Sequence, residues 1–244
     1  MFDRVVCINL KRRPGRWRQF QAGLPTDWPF GPVVRVDAVD GQTANVPQWY
    51  GQPPANLNHN RDAWGECLRG AWGCLQSHLQ VWLDALRKGL NSVLVFEDDA
   101  VFCPDFTEQA VRFLEAVPVY WDQIYFGGQH LNYNQTPPVK IRAQVLKGHN
   151  VNRTHAYAIR DDMMRAAVDR LSRPWAPWRP QDYHVDHQLG AMHLTGEWNV
   201  YCPRRWLVGQ TGGHGDVNPD REFHGVQWWN DFSSVMREEH ALAG

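Results

Sequence analysis

No C-x-x-C pair occurs in this chain, and its five cysteines, Cys7, Cys67, Cys74, Cys103 and Cys202, are odd in number. Such a set argues against both a disulfide framework and a structural zinc site. Cys67, Cys74 and His78 can share one helical face, but buried thiols are a plainer reading of that trio than a metal site. Charge of one sign is also lacking: the formal net charge is −1, so no overall basic field advertises nucleic acid or an anionic membrane. No apolar run is long enough to cross a bilayer, and the start MFDRVVCINL has neither a basic n-region nor a cleavage site, so the expected location is cytoplasmic with no membrane span. Repeats and low-complexity tracts are absent as well. What remains is an ordinary globular composition, 43% hydrophobic and 21% charged over 244 residues, enough to bury a sizeable core. Tryptophan is the exception at 13 residues, and it favours cores, interfaces and sugar-binding platforms.

The stretch GCLQSHLQVWLDALRKGLNSVLVFEDDAVF, residues 73–102, organises the rest. Trp72, Leu75, Leu79, Trp82 and Leu86 recur at gaps of three and four, which predicts one apolar stripe on a helix. Lys88 and Gly89 supply the stop, a cation at the negative end and a residue free to take positive φ. Val93–Phe96 is an unbroken apolar run suited to a strand covered on both faces. It leads directly into Glu97, Asp98 and Asp99. Three adjacent carboxylates repel one another and call for a counter-charge, for which a divalent cation is the obvious candidate. The alternative is a solvated acidic turn. Strand carboxyl ends are where α/β sheets place ligands, which favours the site.

Further elements follow in order. Arg4–Leu10 reads as a strand, and a basic turn of Lys11, Arg12, Arg13 and Arg16 follows, suited to phosphates or simply to solvent. Val33–Ala38 is a second strand, and Pro47–Asp62 has no period and reads as a long loop. Phe106–Ala116 has helical spacing. Trp121–Gly128 reads as a strand whose glycine-rich exit admits a ligand or makes a turn. Thr154–Arg160 reads as a strand, and Asp161 as the cap of a helix through Leu171. Three prolines make Arg173–Pro180 a stiff loop presenting two tryptophans. Asp182, His184, Asp186 and His187 crowd together behind it, ahead of an apolar segment at Leu189–Leu194. Asn199–Cys202 is a strand, Gln210–Asn218 a flexible turn carrying His214 and Asp216, and Val226–Ala241 an amphipathic helix. Alternating strands and helices make an α/β sheet the expected fold class. A histidine such as His214, on a glycine-rich loop, is placed to join the acids in a mixed carboxylate and imidazole shell of the kind Mn²⁺ accepts and Mg²⁺ tolerates less readily.

GCLQSHLQVW, its helix and SVLVFEDDAVF together resemble the central motif of glycosyltransferase family 25, which includes lipopolysaccharide sugar transferases and the procollagen galactosyltransferase domain. VVCINLKRRPGRW is similar to that family's opening strand and basic turn, and WDQIYFGG, THAYAI and YHVDHQL resemble its later blocks in order. The resemblance implies a GT-A type fold, a Rossmann-like mixed sheet flanked by helices in a single domain over residues 1–220, with 221–244 as a helical segment packed on it. It also implies a nucleotide-sugar donor and Mn²⁺ or Mg²⁺. On the matching positions, Asp99 is then a direct metal ligand, Glu97 and Asp98 hold metal, ribose or sugar hydroxyls, and Asn9, Leu10, Arg12 and Arg13 lie near the nucleotide. The 47–62 and 173–180 segments have no counterpart in the family pattern.

Sugar transfer with inversion needs a carboxylate to take the acceptor's proton. Asp186, in the family-like VDHQL block, is the first candidate and Asp182 the second; a retaining enzyme needs no base in that place. Acceptor readings are a surface glycan, a protein hydroxyl, or a hydroxymethylated DNA base reached by Arg160, Arg165, Arg170, Arg173 and Arg179. Two other classes stay open: a metal-dependent nuclease or phosphatase, for which a second acid cluster or catalytic lysine is missing, and a non-catalytic sugar-binding module, which leaves the acids unexplained.

Overall fold

A computed structural model describes residues 2–50, 61–174, 183–214 and 222–223, with the backbone alone at 61–67, 213–214 and 222–223. Strand β3 (Ser92–Glu97) is its axis; the strands on either side of it are β1 (Arg4–Asn9) and β8 (Val151–Arg160). Val93, Leu94, Val95 and Phe96 are all fully buried. Pleat alternation sends Val93 and Val95 into one hydrophobic core, and Leu94 and Phe96 into a second on the opposite face. An unbroken apolar run is what a strand covered on both faces requires. Each such burial is worth about 1.5–3 kcal/mol.

The remaining strands of the sheet are β2 (Val33–Asp37), β5 (Gln123–His130), β6 (Val139–Arg142), β7 (Val145–Lys147) and β9 (Val200–Pro203). The order is β2-β1-β3-β8-β5-β9-β7-β6. β1 runs parallel to β2 and β3, and β5 parallel to β9, while the β8 and β7 pairings are antiparallel. The expected α/β class, a Rossmann-like mixed sheet flanked by helices, is therefore present. Helices α2 (Arg61–Arg87), α4 (Asp161–Leu171) and α5 (Val185–His193) feed one core. The other holds Phe20 of α1 (Pro14–Ala22) and Phe106, Ala110 and Phe113 of α3 (Phe106–Ala116), with Trp28 stacked on Phe106 at 5.7 Å between centroids.

The stripe on α2 packs as its spacing predicts: Leu75, Leu79 and Trp82 are buried, and Trp72 and Leu86 pack partly buried against the same core. Gly89 stops the helix at φ +66°, with the Leu90 N–H donating to Ala85 O at 3.0 Å. That i→i−5 bond with a left-handed glycine is a Schellman ending.

Several expectations are corrected. Helix α2 begins at Arg61, inside the segment read as loop to Asp62; residues 51–60 lie outside the described residues. Arg160, not Asp161, occupies the cap of α4, and Asp161 sits in its first turn, where a negative charge suits the helix dipole. Gly127 and Gly128 lie inside β5 rather than at its exit. A Cβ on Gly127 would stand 2.2 Å from Val208 O and 2.3 Å from His155 Nε2, so the protein's own chain fills the close approach. The apolar segment at Leu189–Leu194 falls almost wholly within α5. Two three-residue strands, β4 (Ala100–Phe102) and β10 (Val208–Gln210), pair antiparallel and are too short to carry a period. Gly213–His214 forms β11, paired with β12 at Glu222–Phe223. Residues 175–180 of the tryptophan loop, Asp182, Asp216 and the Val226–Ala241 helix lie outside the described residues.

Candidate active site

Glu97 ends β3 and Asp98 and Asp99 turn the chain toward β4, so the sheet delivers all three acids to one corner. They diverge there, and each meets its own donors. Glu97 Oε1 accepts from Thr154 Oγ1 at 2.6 Å and pairs with His78 Nε2 at 3.2 Å. Asp98 Oδ2 accepts from Asn9 Nδ2 at 2.6 Å, and Asp98 Oδ1 lies 3.4 Å from Arg16 Nη1. Asp99 Oδ2 accepts from Gln210 Nε2 at 3.1 Å, and its backbone carbonyl accepts from the Thr211 N–H at 2.7 Å. Separate donors offset part of the repulsion among the three adjacent carboxylates, most for Glu97 and least for Asp99.

His78 stands between two fixed neighbours. Trp82 Nε1 donates to the Tyr157 hydroxyl at 3.0 Å, and that hydroxyl lies 2.8 Å from His78 Nδ1. Tryptophan can only donate, so the Tyr157 oxygen accepts from Trp82, and the two ring nitrogens of His78 bridge that hydroxyl and Glu97. Burial pushes the Glu97 carboxyl up, but the His78 and Thr154 bonds outweigh it and hold it below its ordinary value. Burial likewise raises Asp98, and Asn9 and Arg16 offset only part of that. Asp99 is pushed up to about 7, by burial first and then by the charges of Glu97 and Asp98.

Asp99 Oδ1 and Gln210 Oε1 are both buried with no hydrogen-bond partner among the described residues. A buried carboxylate oxygen without a donor is costly, and a hard dication satisfies such oxygens. The residues present therefore fit Mn²⁺ or Mg²⁺ at Asp99. The backbone of His214 follows Thr211 by three residues in β11, and its side chain lies outside what the structure describes.

The opening motif reaches the same corner. Asn9, 1% exposed, donates to Asp98 and to Arg13 O at 3.0 Å and accepts from Arg35 Nε at 2.8 Å, so it holds the acid and the basic turn together. Leu10 O accepts from the Arg13 N–H at 2.9 Å, closing that turn, and Arg12 binds Asp40 at 2.6 Å.

Asp186 stands in the first turn of α5. Its Oδ2 accepts from the Arg153 N–H at 3.2 Å and its Oδ1 from the His187 N–H at 2.9 Å. Arg153 has φ +79°, a left-handed conformation that costs a side-chain-bearing residue of order 1–3 kcal/mol. The next residue on β8 is Thr154, which binds Glu97, so two consecutive residues link Asp186 to the acidic corner. Burial raises the Asp186 carboxyl, and His187, His184 and Arg153 outweigh it to leave it lowered and ionised.

His78, Thr154, Gln210 and Tyr157 are the site residues that sequence reasoning did not assign. His78 follows Cys74 by four positions on the buried side of a helix, which is a usable signal; Thr154 is a polar residue inside the ten-residue β8 and Gln210 ends the three-residue β10, and neither gives one.

A mixed α/β sheet with a carboxylate corner at the end of a central strand is the arrangement expected of a GT-A type transferase. The family model for glycosyltransferase family 25 (LPS biosynthesis protein) matches residues 2–183, and the chain belongs to this family. A relative named "Probable inactive glycosyltransferase 25 family member 3" from Rattus norvegicus is 36% identical over 96% of this chain and 43% of its own length. "Glycosyltransferase 25 family member" from Drosophila melanogaster is 31% identical over 84% of this chain and 34% of its own. "Procollagen galactosyltransferase 2" from Mus musculus is 31% identical over 55% of this chain and 22% of its own. The chain thus spans less than half the length of these relatives. Among the described residues, no helix is long and apolar enough to cross a membrane.

Proposed function

We propose that this protein is a metal-dependent sugar transferase that moves a sugar from a nucleotide-sugar, a UDP-sugar in the first instance, to an acceptor hydroxyl with inversion. The observation that carries the reading is the buried corner at the end of β3, where Asp99 Oδ1 and Gln210 Oε1 have no donors among the described residues. This chain carries Glu97, Asp98 and Asp99, although a relative 36% identical to it is named probably inactive.

Asp99 would hold Mn²⁺ or Mg²⁺, with Glu97 and His214 as further ligands. The ion supplies positive charge against the diphosphate that departs as the sugar–oxygen bond breaks. The chain's own residues do the rest. Asn9 fixes Asp98 for contact with ribose or sugar hydroxyls, and the turn of Leu10, Arg12 and Arg13 would lie beside the nucleotide, where Arg12 would exchange its Asp40 partner for a phosphate oxygen. Asp186, ionised and with lone pairs to spare beyond its two N–H bonds, takes the proton of the acceptor hydroxyl. Asp182 is the second candidate for that role.

A glycan or a protein hydroxyl is the better acceptor, and a modified DNA base the poorer. Arg160 lies over the Trp121 ring at 4.5 Å, Arg170 bonds Gln188 at 3.1 Å and Arg173 pairs with Asp169, so three arginines of the supposed basic stripe are engaged within the protein. A cytoplasmic location is part of this reading. The test is a thermal-shift panel of UDP-sugars with Mn²⁺, followed by mass spectrometry on glycan, peptide and modified-DNA acceptors. Stabilisation by a UDP-sugar with Mn²⁺ and a mass gain of one sugar on an acceptor are expected; an unchanged response in Asp99→Ala overturns the metal assignment.

A further inference from the structure

Cys74, His78 and Glu97 each present a ligand atom, and these atoms all lie within 4.8 Å of one another. Cys74 and His78 are four residues apart on α2, hence on one face of the helix, and the end of β3 brings Glu97 against that face. His78 is buried, whereas Cys74 and Glu97 are only partly covered. No other trio of His, Cys, Asp and Glu among the described residues comes this close, the three adjacent acids included.

We propose that Cys74 Sγ, His78 Nε2 and a Glu97 oxygen form a binding site for a thiophilic divalent cation of the Zn²⁺ class, which shares Glu97 with the hard-ion position centred on Asp99. The donor set decides the class: one sulfur, one imidazole nitrogen and one carboxylate oxygen match Zn²⁺, whereas Mg²⁺ and Mn²⁺ take oxygen-rich shells. Three protein ligands leave a fourth tetrahedral position open to water or another ligand. His78 also has the outer partner that ligating histidines use. With Nε2 on the ion, Nδ1–H donates to the Tyr157 oxygen 2.8 Å away, which is already fixed by Trp82 Nε1 at 3.0 Å. The Cys74 proton leaves to solvent on binding. Cation binding stands without the transferase reading; if that reading also holds, the soft ion draws Glu97 from the acidic corner and inhibits transfer.

The experiment is a Co²⁺ titration of the reduced, metal-free full chain, followed by absorbance. A near-ultraviolet thiolate-to-cobalt charge-transfer band is expected, bleached by one equivalent of Zn²⁺, lost in Cys74→Ser and kept in Cys103→Ser. Tyr157→Phe should keep the band and weaken Zn²⁺ binding by about 10- to 100-fold. No band in the wild type, a band that survives Cys74→Ser, or one lost in Cys103→Ser overturns the site. If Cys74→Ser does not fold, alkylation mapped by mass spectrometry on the wild type decides: Zn²⁺ must protect Cys74, and equal labelling with and without Zn²⁺ refutes the proposal. None of these readouts uses turnover, so an inactive transferase leaves them interpretable.

Discussion

His78 Nε2 lies 3.2 Å from Glu97 Oε1, and the other nitrogen of the ring lies 2.8 Å from the Tyr157 hydroxyl. A helix, a strand end and a neighbouring strand are thereby joined by one line of polar contacts through an otherwise apolar layer. Such a line stabilises only while every member is satisfied.

Glu97→Gln tests that line through pH. The folded Glu97 carboxyl lies below its ordinary 4.5, so its contribution is present above that value and fades as pH falls through the folded one. The variant should be less stable than wild type at neutral pH by roughly 1–3 kcal/mol, with the gap closing in acid. Urea midpoints between neutrality and strong acid measure it; a gap independent of pH refutes it.

Asp99 has the opposite sign. Its carboxyl is pushed from 3.8 to about 7, so the folded, metal-free protein holds that proton more tightly and loses stability as pH rises across this window. Asp99→Asn should flatten the loss, stabilise the metal-free protein at neutral pH by roughly 1–3 kcal/mol, and abolish the thermal shift given by Mn²⁺ with a UDP-sugar. Parallel melting curves across pH, with and without Mn²⁺, check both halves.

Asp186→Asn should separate binding from chemistry. Donor-induced stabilisation is expected to persist while turnover falls about 10²- to 10⁴-fold, the usual worth of a general base. Unchanged turnover would assign Asp186 solely to fastening α5 against β8.

Gly127→Ala addresses packing behind the site. The added methyl meets Val208 O and His155 Nε2 at 2.2 and 2.3 Å, one of them backbone that cannot swing aside. A loss of about 2–3 kcal/mol in urea unfolding is expected; a neutral variant would show that β5 and β10 can part there.

The central unit was legible because two signals agreed. The α2 stripe repeats over four turns, and Val93–Phe96 is apolar without a break, as a doubly covered strand must be. Glu97, Asp98 and Asp99 were visible as a cluster, but their divergence was not, since partners such as Thr154 and Gln210 arrive from distant segments and obey no local period. Gly127 and Gly128 misled for a physical reason: glycine marks close approach, and sequence does not say whether a ligand or the chain itself approaches. The helical face that carries Cys74 and His78 is visible in the sequence, whereas its third member, Glu97, is brought there only by the end of β3.

Because successive residues of β3 are anchored in opposite layers, that strand behaves like a lever clamped on two sides. A change of side-chain volume at Leu79 or at Phe106 is expected to unbalance the clamps and displace Glu97 at the strand's tip, so a substitution remote from the acids should alter their geometry.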